Sequence, residues 1–385
     1  MKILIVLTYY RPHISGLTIY AERLAKAFVA RGHEVTVLTS GFRKALAAEE
    51  IVEGVRIVRA PVLFRLSKGV IMPTFGLIAN RLVREADVIQ LHLPQFDAAG
   101  ISFRGRLLRK PTVITYHCDL LMPPGLFNRI ANLGVSFMNQ LTGMFTHRIV
   151  TYTQDYADNS AYLKRYFNKL KIIPPPVVLP GVTKESVESF AREHNPQNRH
   201  PVIGMATRFA SEKGVEVLLK ALPEVIREYP DAVVQFVGTY QKVFSEQAYF
   251  ERLRPEIEKY QASGNWQFLG ELDPEQMAKY YPNLDVLTVP SLNSTEAFGL
   301  VQIEAMMNGV PCVTSSLPGV RQPVKIHDMG AIFPIGDSQA LAKGLIAVIK
   351  AGKANFKNKL DFSRYQPDDI AQAYEELFQD IRQTH

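Results

Sequence analysis

Two glutamates eight positions apart, Glu296 and Glu304, flank Phe298-Gly299-Leu300 where a loop enters a helix. Gly299 lets the backbone turn tightly, residues 300–307 make a good helical run, and Gly309 stands where a left-handed residue closes a helix. The helix therefore starts between the two carboxylates. Its unpaired amides and positive dipole end favour a diphosphate, and Glu304 lies roughly 7 Å further along the axis at ~1.5 Å per residue. That reach suits the hydroxyls of a ribose. Glu296, on the loop at the opposite side of the same amides, can accept hydrogen bonds from a sugar attached beyond the second phosphate. The competing reading is a solvated loop and a capped helix whose Glu304 faces water, the common fate of carboxylates.

Four other stretches carry chemistry. Gly204-Met-Ala-Thr-Arg208-Phe-Ala-Ser-Glu212-Lys213-Gly214 places two cations five residues apart before a helix, a pattern suited to neutralising a diphosphate; taken alone it is a basic turn. Tyr9-Tyr-Arg-Pro-His13-Ile-Ser15-Gly16-Leu17 follows the first strand, and its single Gly16 alone reads as a turn. Thr115-Tyr116-His117-Cys118-Asp119 ends a strand and puts His117 at its mouth, although a lone histidine is more often structural. His92, at the end of Val88-Ile-Gln-Leu-His92, and His13 are acceptor-side candidates; Asp119 is either another or a turn cap. There is no Asp-x-Asp triplet, so no metal is implied, and neither a Gly-x-Gly-x-x-Gly opening nor a Walker-type phosphate loop.

The elements that must position these groups are strands alternating with helices. At 385 residues the natural expectation is two domains with full cores. Runs at 3–7, 34–39, 55–58, 88–91, 112–116 and 148–152 read as buried strands, and the pattern restarts with 202–205, 233–237, 266–269, 286–289 and 312–314. Tyr20, Leu24, Ala27 and Phe28 repeat at helical spacing before Arg31-Gly32, a basic turn with a glycine cap. The proline-rich 172–181 and the polar 193–200 mark a boundary, giving an α/β chain of two doubly wound domains with a ligand cleft between them. Cys118 and Cys312 lack metal-ligand spacing and argue for a reducing, cytoplasmic setting. Residues 1–7 are too short for a signal peptide, and no apolar run reaches the ~20 residues that span a bilayer. A formal charge of +7 favours anionic partners. In the first domain Arg104, Arg106, Arg109, Lys110, Lys164, Arg165, Lys169 and Lys171 suggest an anionic membrane surface, with Leu107, Leu108 and the 122–127 loop as apolar contacts, or else a solvated face.

The run from Pro290 through Glu296, Phe298, Gly299, Leu300, Glu304 and Ala305 to Gly309, Pro311 and Pro318-Gly319 resembles the donor-site signature of retaining nucleotide-sugar glycosyltransferases of the GT-B fold, specifically family 4. The resemblance extends to the Arg208/Lys213 element, whose cations bind donor phosphates in the family. It also takes in the Gly16 loop, where Ser15 replaces the first of two usual glycines, and His117, which contacts the donor sugar. It implies catalytic roles for His117, Glu296, Arg208 and Lys213, and donor binding by Gly16, Phe298, Gly299, Leu300 and Glu304. Two Rossmann-like domains are implied, with residues 1–178 on the acceptor side, a linker at 179–200, the donor domain at 201–364, and a last helix at 365–385 returning to the first. Closure is expected to hinge near 174–181 and at 366–380. The implied reaction moves a hexosyl group from a UDP- or GDP-sugar to an acceptor glycan, lipid or small molecule, without a cofactor or nucleic acid, on the cytoplasmic face of a membrane or free of it. A sugar-nucleotide epimerase or a non-catalytic nucleotide-binding module docked at a membrane is the alternative.

Overall fold

The computed structural model describes every residue except 67–68, 122–125, 242, 244–245, 360 and 385. Two compact units emerge, one formed by Met1–Val177 with Ser363–His385 and the other by Val178–Phe362.

In the first unit the strands are β1 (Lys2–Val6), β2 (Glu34–Gly41), β3 (Glu49–Val52), β4 (Val55–Pro61), β5 (Phe64–Leu66), β6 (Gly69–Ile71), β7 (Val88–Leu93), β8 (Thr112–Tyr116), β9 (Arg148–Thr151) and β10 (Leu170–Ile172). Eight of them make one sheet in the order β10-β9-β8-β7-β1-β2-β4-β3, parallel except for β3 on β4, while β5 and β6 pair separately. The central strands β7 and β8 are buried along their whole length, as parallel strands covered on both faces must be. From β1 the chain winds one way to β2 and β4, then returns and winds the other way through β7 to β10. Helices accordingly diverge between β1 and β7, opening a crevice at the carboxyl ends of those strands.

The second unit repeats the scheme with β11 (Val202–Ala206), β12 (Val233–Val237), β13 (Trp266–Gly270), β14 (Val286–Val289), β15 (Cys312–Ser315) and β16 (Gly330–Phe333). All six are parallel in the order β13-β12-β11-β14-β15-β16, so the reversal falls between β11 and β14. Its core joins Phe236 and Trp266 of the sheet to Leu218 and Leu222 of helix Val215–Glu228 and Leu345 of helix Ser338–Ala351. Residues 179–200 are not a bare tether. They carry helix Lys184–His194, capped by Thr183, because Phe190 gives that polar stretch one apolar contact, against the ring of Tyr280. The short, Gly-flanked β16 escapes a periodicity reading.

Helix Gly16–Ala30 buries Tyr20, Leu24, Ala27 and Phe28, and Gly32 follows it at φ 83°. The last helix, Pro367–Thr384, packs on it within the same unit. The Tyr20 and Tyr374 hydroxyls lie 2.9 Å apart, Phe28 and Phe378 pack at 6.0 Å, and Arg31 forks onto Glu375 at 2.6 and 3.0 Å and reaches Asp368 at 2.9 Å. His33 Nε2 also meets Glu375, at 2.7 Å. No helix among the described residues is long and apolar enough to cross a membrane.

Arg31 and then His33 hold the Glu375 carboxyl below its ordinary value. A depressed folded-state pKa means the carboxylate's stabilisation is complete above its unfolded value, about 4.3, and is lost as pH falls through the lower folded value. Glu375→Gln is expected to cost about 1 kcal/mol at pH 7, and its midpoint of thermal unfolding should fall less steeply than wild type below about pH 5. Parallel curves for the two proteins would remove Glu375 as the anchor of the last helix.

Candidate functional site

The reversal between β11 and β14 places the loop after one strand against the loop after the other. Both carry the charged groups picked out in the sequence. After β11, Phe209 is fully buried against Phe236, Tyr249 and Phe250 at ring distances of 5.7, 5.6 and 5.2 Å, which fixes the stretch that bears Arg208 and Lys213. Gly214, at φ 72°, caps helix Val215–Glu228, and a Cβ there would lie 2.0 Å from the Pro290 carbonyl oxygen. Only glycine permits that approach. The amide of Leu292 seals it by donating to the Glu212 carbonyl at 2.8 Å.

Across this seam Lys213 Nζ donates to Glu296 Oε2 at 2.6 Å, with 15% and 22% of the side chains exposed. Arg208 is ion-paired with Glu212, one helical turn away in sequence. Each cation is thus matched by a carboxylate of its own unit. The Glu296 turn is shaped by Asn293 Oδ1, which accepts from the amide and hydroxyl of Thr295 at 3.1 and 2.7 Å. Beyond it Phe298 is buried, Gly299 (φ 77°, ψ 76°) is the N-cap, and helix Leu300–Met307 begins. Gln302 donates to the carbonyls of Phe298 at 2.8 Å and Val320 at 2.9 Å, and a Cβ on Gly299 would press on its amide at 2.8 Å.

Glu304 is 7% exposed and does not face water. Its Oε2 accepts from the buried Tyr281 hydroxyl at 2.7 Å. The first amides of helix Leu300–Met307 thus follow a loop whose Glu296 holds Lys213, while Arg208 lies on the same loop as that lysine and Glu304 further along the helix. Such a site suits an anion bearing hydroxyl groups on both sides. Tyr281 and Gln302 were not singled out from the sequence. Tyr281 lies 23 residues before Glu304 with no motif linking them.

In the first unit Ser15 is the N-cap of helix Gly16–Ala30, and its side chain accepts from the Thr18 amide at 3.2 Å. Its φ of −157° is extended backbone that any residue adopts, so serine serves where two glycines are usual. Gly16 is the exposed first residue of the helix. His13 packs with Tyr9 and Phe42 at ring distances of 5.0 and 5.9 Å. Asp119 is drawn inward: its Oδ1 accepts from Tyr116 and Ser160, each at 2.7 Å, and its amide donates to the Tyr156 hydroxyl at 2.6 Å. His92 and His117 lie together, with His92 Nδ1 2.7 Å from His117 Nε2. Burial pushes His92 down to about 3, and burial followed by the neighbouring His92 holds His117 well below its ordinary value, so both rings are neutral. Among the described residues no group of three or more His, Cys, Asp or Glu side chains is placed to hold a metal ion.

Two family models and several known proteins match the chain as a whole. Residues 186–377 match the family model described as glycosyl transferases group 1, and residues 14–179 match the model described as glycosyltransferase family 4. A phosphatidyl-myo-inositol mannosyltransferase of Mycobacterium leprae is 26% identical over 360 residues, covering 91% of this chain and 88% of its own. Among solved structures, Anabaena Alr3699/HepE in complex with UDP superposes with a TM-score of 0.76 at 20% identity over 99% of this chain and all of its own. The sucrose-phosphate synthase of Thermosynechococcus elongatus does so at 0.74 and 19% identity over the whole of both chains.

Proposed function

The chain belongs to the family 4 glycosyltransferases of the GT-B fold, with two Rossmann-like domains, and on that premise we propose that it transfers a hexosyl group from a UDP- or GDP-sugar to an acceptor hydroxyl with retention of configuration. The observation that carries this reading is the Lys213–Glu296 pair just before helix Leu300–Met307, with Arg208 on the same loop as Lys213 and Glu304 in that helix. In the proposed reaction the bond from the sugar's anomeric carbon to the diphosphate breaks, and the acceptor oxygen bonds to the same face. The acceptor's proton passes to the departing phosphate. Arg208, Lys213 and the amides of Phe298, Gly299 and Leu300 stabilise the charge that grows on the leaving group, an electrostatic contribution fixed in place beforehand. Glu296 orients the sugar, and the family resemblance gives His117 a part in positioning it. Glu304, whose Oε2 accepts from Tyr281, contacts the ribose. No metal or cofactor has a part in the reading. UDP in the HepE complex is in keeping with such a donor.

Three substitutions separate these roles. Glu304→Ala should raise KM for the donor with little change in kcat, because a ribose contact is the same before and during transfer. Lys213→Ala and Arg208→Ala should instead lower kcat by roughly 10²-fold to 10³-fold. Unchanged kcat in both cation variants, or a collapsed kcat with unchanged donor KM in Glu304→Ala, would overturn the assignment. A sugar-nucleotide epimerase would isomerise the donor when incubated alone.

For the acceptor we propose a lipid or lipid-linked glycan met at the anionic cytoplasmic face of a membrane. The mannosyltransferase relative, named for phosphatidyl-myo-inositol, supports a lipid. Between Asp97 and Asp155 the only acidic residue is Asp119, while Arg106 and Arg109, then Lys164, Arg165 and Lys171, are exposed. Leu107, Leu133, Phe137 and Met144 are 61% or more exposed in the same unit. Exposed apolar groups and exposed cations in one unit are what an anionic bilayer rewards, at about 1 kcal/mol per cation near the surface. Of the apolar loop expected at 122–127, residues 122–125 lie outside the described residues. The protein should sediment with vesicles containing phosphatidylglycerol and not with phosphatidylcholine alone, and Leu133→Asp with Phe137→Asp should release it. Equal sedimentation with both vesicles, or none, would remove the membrane from the reading.

A further inference from the structure

Both ring nitrogens of His117 are already engaged inside the first unit. Nε2 meets Nδ1 of His92 at 2.7 Å, and Nδ1 meets the Tyr152 hydroxyl in a very short contact. Strand register explains the meeting. Gln90 and His92 project to one face of β7, Thr115 and His117 lie on the same face at the end of β8, and Tyr152 follows β9. Tyr20 closes the cluster, its ring 5.1 Å from His117, 5.8 Å from His92 and 5.6 Å from Tyr152. Behind it Tyr374 of the last helix joins Tyr20 at 2.9 Å and Thr115 at 2.7 Å.

Two imidazoles 2.7 Å apart share one proton, and which ring owns it follows from the atom left over. His92 Nε2 is buried without a partner. If His117 donated, that atom would be an orphaned N–H; if His92 donates, it is only a bare lone pair, the less costly vacancy. His92 therefore carries its proton on Nδ1 and gives it to His117 Nε2, and His117, protonated on Nδ1, donates to the Tyr152 oxygen. The titratable groups facing the pair are Tyr20 from the first helix and Tyr152 after β9, with Tyr374 one bond further. No carboxylate or cation among the described residues pairs with either ring.

We infer that His92 is a positioning residue for transfer: with Tyr152 it locks His117 into one ring plane and the Nδ1–H tautomer with both nitrogens occupied, so that His117 meets the sugar with the carbon edge of a fixed neutral ring and not as a proton donor. The inference rests on the proposed sugar contact of His117. It adds a residue that does not touch substrate, and it leaves the leaving-group charge to Arg208 and Lys213.

The test combines spectroscopy with kinetics on the full chain. In ¹⁵N-histidine-labelled protein, the two rings should appear as neutral Nδ1–H tautomers unchanged between pH 6 and 8, with a slowly exchanging N–H shared between them; a neutral Nε2–H His117 would overturn the inference. His92→Phe keeps the volume but removes the acceptor and donor. It should lower kcat at least about tenfold, leave nucleoside-diphosphate affinity within about threefold, and abolish the shared proton signal. His92→Asn, which returns a polar atom near the Nδ1 position, should recover most of kcat. Wild-type kcat in His92→Phe, or equal losses in both variants tracking their unfolding midpoints, would show packing alone. Should His92→Phe not fold, full activity in a His92→Asn protein that lacks a fixed His117 tautomer would overturn the inference. Transfer by wild-type protein is the separate control: its absence with every nucleotide sugar sinks the functional reading, while the tautomer result stands on its own.

Discussion

A carbonyl oxygen that would lie 2.0 Å from any Cβ at Gly214 is the constraint on which the donor-side geometry depends. Because β11 and β14 are neighbours whose following helices depart in opposite directions, their two loops must meet beyond the sheet. The Pro290 carbonyl and Gly214 are where they touch. Glycine at φ 72° lets the second loop close on the first, the Leu292 amide bonds across, and Lys213 arrives beside Glu296. Everything assigned to a diphosphate stands within a few residues of that seam. A side chain at 214 would push the cation and the carboxylate apart together.

The charged groups of the site are also paired with one another. Lys213 and Arg208 each hold a carboxylate, and Glu304 holds a tyrosine hydroxyl. Such pairing avoids the cost of half-buried, unmatched charge. On the proposed reading, an incoming diphosphate would exchange one anionic partner for another and keep the cations in place at little reorganisation cost. The first unit follows a different rule. His92 and His117 sit among tyrosines with no counter-ion among the described residues, so burial keeps them uncharged, and shape and tautomer are what they offer. The last helix contributes to that cluster through Tyr374, which ties a terminal element to the strand that ends in His117.

Much of this was legible in the sequence, for physical reasons. Parallel strands covered on both faces must be short apolar runs, so β1, β7, β8 and β12 were readable. Gly299 and Gly309 marked both ends of helix Leu300–Met307 because each takes positive φ, 77° and 71°. Family resemblance proposed roles for Arg208, Lys213 and His117 that spacing alone could not assign. What stayed hidden was contact between residues remote in sequence: Tyr281 with Glu304, Gln302 with Val320, and Tyr374 with Thr115, all of which depend on packing and not on a local pattern. Helix Lys184–His194 was read as part of a linker because its single buried phenylalanine gives almost no periodic signal. Ser15, a departure from the usual glycine pair, proved to be a helix cap.

The central claim is that Glu296 occupies Lys213 until a diphosphate displaces it, and calorimetric binding of UDP and GDP to Glu296→Gln tests it most directly. Removing the carboxylate frees the cation and lifts a repulsion, so the account predicts that whichever nucleoside diphosphate the wild type prefers binds the variant at least as tightly, while sugar transfer is lost. Weakened binding of that free nucleoside diphosphate, by a factor like that of Lys213→Ala, would mean that the pair is a scaffold and that the anion site lies elsewhere.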